Sequence, residues 1–383
     1  MGKAGILSYN DCIMKVNAII KVLESWYPPY LADAGDPVGL QVGRRTADCQ
    51  RLLAALEVTG PVVKEAIRLQ VDLIVTHHPL LFRPVKRLTD SDPRYSLFES
   101  LIQHQIAVYS LHTNLDFSPG GTCHSLAGDI GLLNIRALLP ADHVKFHKLT
   151  VFVPETHLEK VSYAIFEAGG GIIGDYDYCS FRLKGTGTFR GSEKSKPFLG
   201  KAGTFETAEE IRLEVLVPAA QTETVIRAMR SAHPYEEPAY DIYLLENPHP
   251  QASIGVKGEL KTPMKLDDFA KALKRNLKIP WMKAVGNPKQ KIKTVGIITG
   301  SGADYISRAQ AAGCDLLITG DLKYHAAQDA LSQGFCVLDI GHYFSEARFI
   351  PVLHHRLQKH IQDSNLNLKC YLSKTGADPL RLI

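Results

Sequence analysis

No two of the seven cysteines (Cys12, Cys49, Cys123, Cys179, Cys314, Cys336, Cys370) form a C-x-x-C pair, and their number is odd. That argues against a disulfide framework and for reduced thiols in a cytosol. The chain has no run of about 18 apolar residues, so a membrane-spanning helix is not expected. Residues 1–20 lack an uninterrupted apolar stretch, so a secretory signal is not expected either. The net charge is only +4 and no long basic block occurs, so neither nucleic acid nor a membrane surface is indicated as a partner. No repeat of solenoid period is evident. A Walker-type glycine loop for cradling phosphates is also missing.

What remains is an ordinary globular composition: 383 residues, 45% hydrophobic and 22% charged, long enough for two or three domains with large cores. Ile13, Val16, Ile19 and Ile20 recur at helical spacing and predict a helix over 10–26, capped by Ser8 or Asn10 and ended by Pro28 and Pro29. A glycine-punctuated turn over 35–43 leads into a short strand. Strands over 51–58, 71–76 and 106–111 alternate with helices over 61–69 and 95–104, a β-α-β pattern. The composition changes near residue 147. Strands over 149–153, 176–184, 210–217 and 239–245, with helices over 156–168 and 221–231, follow the ferredoxin-like order. Residues 185–208, between its halves, read as an exposed hairpin or loop. After residue 250 come strands over 294–299, 314–319 and 335–340, helices over 303–312 and 324–333, and a helical stretch over 342–362 that Pro351 is expected to kink. The expected plan is α/β: two α/β halves, 1–146 and 251–383, form one lobe, interrupted by a ferredoxin-like α+β domain at 147–250.

Three strand ends carry metal-type ligands. The strand at 71–76 stops at His77-His78-Pro79, because proline favours extended backbone before it and cannot donate to a ladder. Open α/β sheets place ligands at this end of their strands. Alone, two adjacent histidines are an ordinary loop pair. The strand at 106–111 runs into His112-Thr113-Asn114-Leu115-Asp116, and the one at 335–340 into Gly341-His342-Tyr343-Phe344-Ser345-Glu346. On a helix, His342 and Glu346 share one face. Three of these histidines with the two carboxylates form the N/O set preferred by zinc, manganese, iron or cobalt. Five ligands exceed one tetrahedral ion with an open position, but they suit two ions about 3.5–4 Å apart with a shared carboxylate. Asp321 and His325, spaced i and i+4, are candidates for proton transfer. Arg83, Lys86 and Arg87 can contact a phosphate, and His112 can orient a substrate.

Thr76-His77-His78-Pro79-Leu80, the His112–Asp116 run and the Gly341–Glu346 run resemble the signatures of the Nif-three-like proteins, also called GTP cyclohydrolase I type 2 homologues. Gly35-Asp36-x-x-Gly39-Leu40-Gln41-Val42-Gly43 is similar to their N-terminal motif, with Pro37 where asparagine is usual. Thr319-Gly320-Asp321 resembles a further element. The run from Ala232 to Asp241 is similar to the PII- and CutA-like middle domain of the longer bacterial members. The resemblance implies a dinuclear site of two divalent ions, zinc foremost, with His77, His78, Asp116, His342 and Glu346 as ligands and Glu346 as the bridge. It implies a toroidal homohexamer. It also implies opening of the GTP imidazole ring by activated water, releasing formate. A metal-binding regulatory or scaffold protein, with the insert as a sensor, is the alternative.

Overall fold

The computed structural model describes residues 14–381 except Asp175, Pro250 and Gln251. Ser8, Asn10 and Cys12 lie outside these residues. In chain order come α1 (Val16–Trp26), β1 (Gly39–Val42), β2 (Arg51–Ala55), α2 (Gly60–Leu69), β3 (Leu73–Thr76), α3 (Tyr95–Gln103), β4 (Ala107–Ser110), α4 (Thr113–Phe117), α5 (Thr122–Ile130) and β5 (Leu133–Pro140). Then follow β6 (Phe146–Pro154), α6 (Leu158–Glu167), β7 (Phe181–Arg190), β8 (Phe205–Pro218), α7 (Thr222–Ala232) and β9 (Tyr240–Leu245). The chain continues through β10 (Ser253–Lys265), α8 (Leu266–Leu277), β11 (Lys283–Val285), β12 (Lys291–Ile297), α9 (Ile306–Ala311), β13 (Leu316–Thr319), α10 (Tyr324–Ser332) and β14 (Cys336–Asp339). It ends with α11 (His342–Glu346), α12 (Phe349–Asp363) and β15 (Lys369–Leu372). Among the described residues no helix is long and apolar enough to cross a membrane. Two units separate: one combines Met1–Ala141 with Gln251–Ile383, and the other is Asp142–Pro250.

The first unit holds two sheets. One has the order β1-β4-β3-β2-β15, parallel except for β1. Its central strands are short apolar runs because both faces are covered. Leu52 and Leu73 pack against Val16, Ile20 and Leu23 of α1 and Leu353 and Leu357 of α12. Leu53, Ile74 and Val108 face the other way, against Val62 and Ala66 of α2 and Leu101 of α3. Each such fully buried aliphatic side chain contributes about 1.5–3 kcal/mol. Thr59 caps α2 by accepting a hydrogen bond from the Val62 amide, and Pro61 sits in the first turn, where its missing N–H costs nothing. The second sheet has the order β11-β14-β13-β12-β10-β5, with β12, β13 and β14 parallel. Leu126 of α5 and Phe269 and Leu273 of α8 cover one face, and Ile306 of α9 and Ala330 of α10 the other.

The sheets do not divide where the insertion falls. Strand β15, from the chain's end, pairs with β2, and α12 packs in the first sheet's core. Strand β5, from before the insertion, pairs with β10 in the second sheet. The two sequence halves therefore exchange elements. The helical stretch at 342–362 also differs from expectation. It breaks at Ala347 and Arg348, ahead of Pro351. Pro351 lies in the first turn of α12, where no intrahelical N–H bond exists to be lost, so it starts a helix rather than kinking one.

The second unit begins at Asp142 rather than at residue 147. Its antiparallel sheet has the order β7-β8-β6-β9, so each β-α-β pair brackets a strand of the other, a split β-α-β arrangement. Leu149, Val151, Val153, Leu213, Val215 and Val217 pack on Val161 and Ile165 of α6 and Val225 and Met229 of α7. Residues 185–190 and 205–208 are ladder-paired, so the connection is a hairpin with its loop at 191–204.

Candidate metal centre

Strand β3 delivers its two histidines in a fixed geometry. The amides of His77 and His78 both donate to the Leu56 carbonyl, at 3.1 and 2.9 Å. The Thr76 hydroxyl donates to the His78 carbonyl at 2.9 Å. Glu346 and His342 come from α11, one turn apart on the same face. The Ser345 hydroxyl donates to the His342 carbonyl (2.7 Å) and accepts the Gly300 amide (2.9 Å), which ties this helix to the loop after β12. Gly300 has φ +66, and a Cβ there would lie 2.4 Å from Glu346 Oε1. A bulkier residue would occupy the space the carboxylate uses. The buried Asp339 carboxylate accepts the amides of Gly341 (2.9 Å) and Leu322 (3.1 Å), fastening together the loops that carry His342 and Asp321.

These elements converge on one buried group. His78 Nε2 lies 2.7 Å and His342 Nε2 3.1 Å from Glu346 Oε2, while His77 Nε2 faces Glu346 Oε1 at 3.5 Å and Asp116 Oδ2 at 3.9 Å. The ligand atoms of His77, His78 and Glu346 all fall within 4.8 Å of one another, a group that could hold a metal ion. Asp116, on α4, is oriented by the Thr122 hydroxyl, which donates to Oδ1 at 2.6 Å. Thr122 shares a 2.7 Å hydrogen bond with Thr299, and Thr299 contacts the Cys123 thiol at 3.3 Å.

Electrostatics favour positive charge here. Burial opposes protonation of His77, but Asp116 and Glu346 outweigh it and push the imidazole up to about 9. The hydrogen bond to Glu346 leads the causes that raise His342 to about 9, against the opposing effect of burial. Burial raises Asp116, offset in part by His77. For Glu346 burial works upward too, yet the surrounding imidazoles hold it well below the usual carboxylate range. His77 is 1% exposed, and neither ring nitrogen makes a hydrogen bond. Buried polar atoms are nearly always partnered, and an unmet one costs about 1–3 kcal/mol. An imidazole nitrogen facing two carboxylates without a hydrogen bond fits a shared cation, so the residues present suit a metal.

The other candidates divide. His112 stands beside the group, its ring centroid 5.5 Å from that of His77 and 6.0 Å from that of His78. Its Nδ1 donates to Asp36 Oδ1 at 2.7 Å. Asp36 also accepts the Thr113 amide at 3.0 Å and the Thr113 hydroxyl. Asp321 Oδ2 accepts from His342 Nδ1 at 2.8 Å, and its backbone is left-handed, with φ 54. That backbone precedes α10, so Asp321 and His325 share no helical face, and His325 is exposed against Tyr324. Arg83, Lys86 and Arg87 lie exposed on the loop after Pro79. Sequence reasoning missed Thr122, Thr299, Gly300 and Asp339. The run Thr299-Gly300-Ser301-Gly302 at a strand's carboxyl end was the available signal for two of them.

Comparison with known proteins agrees over nearly the whole chain. A sequence model of the Duf34/NIF3 (NGG1p interacting factor 3) family matches residues 14–379. The GTP cyclohydrolase 1 type 2 homolog of Halalkalibacterium halodurans is 38% identical over 365 residues, 95% of this chain and 98% of that protein. The Bacillus subtilis protein of the same name is 36% identical over the same shares. The crystal structure of a Bacillus cereus protein related to NIF3 is similar, with TM-score 0.78 and 37% identity, covering 97% of this chain and 100% of that one.

Proposed function

The chain belongs to the Duf34/NIF3 family, and on that premise we propose a metal-dependent hydrolase that acts on a nucleotide. The observation that carries this reading is His77, buried with two unbonded nitrogens and facing two carboxylates. His77, His78, Asp116, His342 and Glu346 would hold two divalent cations, zinc foremost, with iron, manganese or cobalt sharing the preference. Glu346 suits both ions, since Oε1 faces His77 while Oε2 meets His78 and His342. When bound, such cations supply Lewis acidity, polarising the bond under attack and acidifying water.

The chain's own residues supply the rest. Asp321 accepts from His342 Nδ1, which fixes the tautomer that leaves Nε2 as a ligand. Asp36 engages His112 Nδ1 in the same way, so His112 Nε2 is the nitrogen left to hold or pass a proton at the substrate. Asp321 is thereby a positioning residue, and His112 takes the proton-handling role. Arg83, Lys86 and Arg87, on the loop leaving His78, are the proposed phosphate contacts. The reading extends to a homohexameric ring, supported by the sheet-edge strand β5, where Leu133 and Ile135 are 49% and 37% exposed. It also takes the insert as PII/CutA-like, supported by its strand order.

The test is formate release from GTP by zinc-loaded protein, with metal content measured in parallel. Turnover is expected in the intact chain, with loss of both metal and turnover in His77→Ala and Glu346→Gln. Full metal loading without turnover on GTP or phosphodiesters would leave a metal-binding regulatory or scaffold protein instead.

A further inference from the structure

We propose that the inserted unit binds a small aromatic amine, in a cavity on the side of its sheet opposite the helices. Side chains alternate along strands. Val151 and Val153 of β6, with Leu213 and Val215 of β8, face α6 and α7. Phe152 and Glu210 therefore point to the other face. The hairpin loop at 191–204 folds back over this face, and the Lys196 amide donates to Glu236 Oε2 at 3.1 Å, fastening the loop to the turn after α7. Beneath it lies a cavity of about 420 Å³. Its walls include Phe152, Phe189, Phe198, Leu199, Tyr235 and Glu210. That volume is within the range of small-molecule sites, about 300–1,000 Å³, which are mostly apolar with a few placed polar groups.

The polar groups select the ligand's charge. Among the described residues no lysine or arginine side chain lines the cavity, so a phosphate or carboxylate would be buried without a counter-charge. Glu237 is paired with Arg230 at 3.2 Å, and Glu236 is engaged by the loop. Among the described residues no basic side chain pairs with Glu210. Gly187 makes room for it: a Cβ there would sit 2.3 Å from Glu210 Oε2. The Tyr235 hydroxyl stands buried beside the Glu210 carboxylate, and burial together with that carboxylate raises it above the usual phenol range, so it stays a neutral donor in the cavity wall. Phe198 and Tyr235, with ring centroids 6.1 Å apart, present flat surfaces on which an aromatic body stacks. A protonated amine reaching Glu210 then meets a carboxylate and nearby π-faces, both of which attract cations.

Titration calorimetry on the full chain tests this with tryptamine, neutral indole and anionic indole-3-propionate. Tryptamine is expected to bind about tenfold or more tightly than the propionate, a difference of about 1.4 kcal/mol. Glu210→Gln is expected to weaken tryptamine about tenfold while leaving indole unchanged, which also shows that the cavity persists in the variant. Equal binding of amine and acid by the unaltered chain would overturn the proposal whatever the variant does. So would failure of tryptamine to bind at millimolar concentration, or an unchanged tryptamine affinity in a Glu210→Gln chain that still binds indole.

Discussion

The side chain of His77 concentrates the physics of the candidate metal centre. It is raised to about 9, as is His342, so each carries a proton that an arriving cation must displace. Zinc affinity should therefore climb as pH rises from 6.5 toward 9 and level off above it, as calorimetry at stepped pH would record. The sign for folding is opposite. A histidine raised above its unfolded value of 6.5 stabilises the metal-free protein fully below 6.5 and loses that contribution as pH passes about 9. Metal-free protein should thus unfold at lower temperature at pH 9 than at 6.5, a decline that zinc loading removes. Thr122 acts through the Asp116 carboxylate that it holds. Thr122→Val keeps the shape but strips the donor from Asp116, and zinc affinity is expected to fall about 10–100-fold, measured by competition with a chelator. Gly300→Ala forces a methyl into the space of Glu346 Oε1 at a positive φ, with a backbone cost of about 1–2 kcal/mol. Zinc content per chain should drop together with thermal stability.

At the scale of elements, the sequence exposed much of the framework. Strands β2, β3, β4, β13 and β14 are short apolar runs bounded by turn residues, and α2, α3 and α10 carry clear periodicity and stops. The five proposed ligands were readable because each sits directly after a strand or one turn into a helix. Strands β5 and β10 were not readable. In β5, Leu133 to Ala137 are exposed at a sheet edge, so no apolar alternation marks them. In β10, Gly255 has φ +74 and lysines interrupt the run, and its pairing with β12 shifts register between Glu259 and Met264. The partners Thr122 and Thr299 are invisible for another reason: their hydrogen bond joins the start of α5 to the loop after β12, segments far apart in sequence that meet only in the fold. The break between α11 and α12 gives its own prediction. With Pro351 in a first turn, Pro351→Ala should change stability by less than about 1 kcal/mol, whereas a true interior kink would involve about 3 kcal/mol or more. Chemical denaturation distinguishes these outcomes.

Over the whole molecule, the chain leaves the first unit and returns to it through a single antiparallel pair. Pro140 lies opposite Ser253, and the Ala141 amide donates to the Ala252 carbonyl at 3.1 Å. The insertion thus occupies the position of a hairpin turn. Replacing residues 142–251 by Asn-Gly, which favours a tight two-residue turn, should leave a folded protein that still binds zinc, as circular dichroism and metal analysis would report. The entropy of closing a loop grows only logarithmically with length, about 0.6 kcal/mol per doubling. Melting of the insert alone is therefore too weak a perturbation to unzip a ladder that runs from Leu133 to Pro140. In a calorimeter the protein should show two endotherms rather than one. Zinc should move one of them and tryptamine the other, so that a single scan with each ligand reports which unit it occupies.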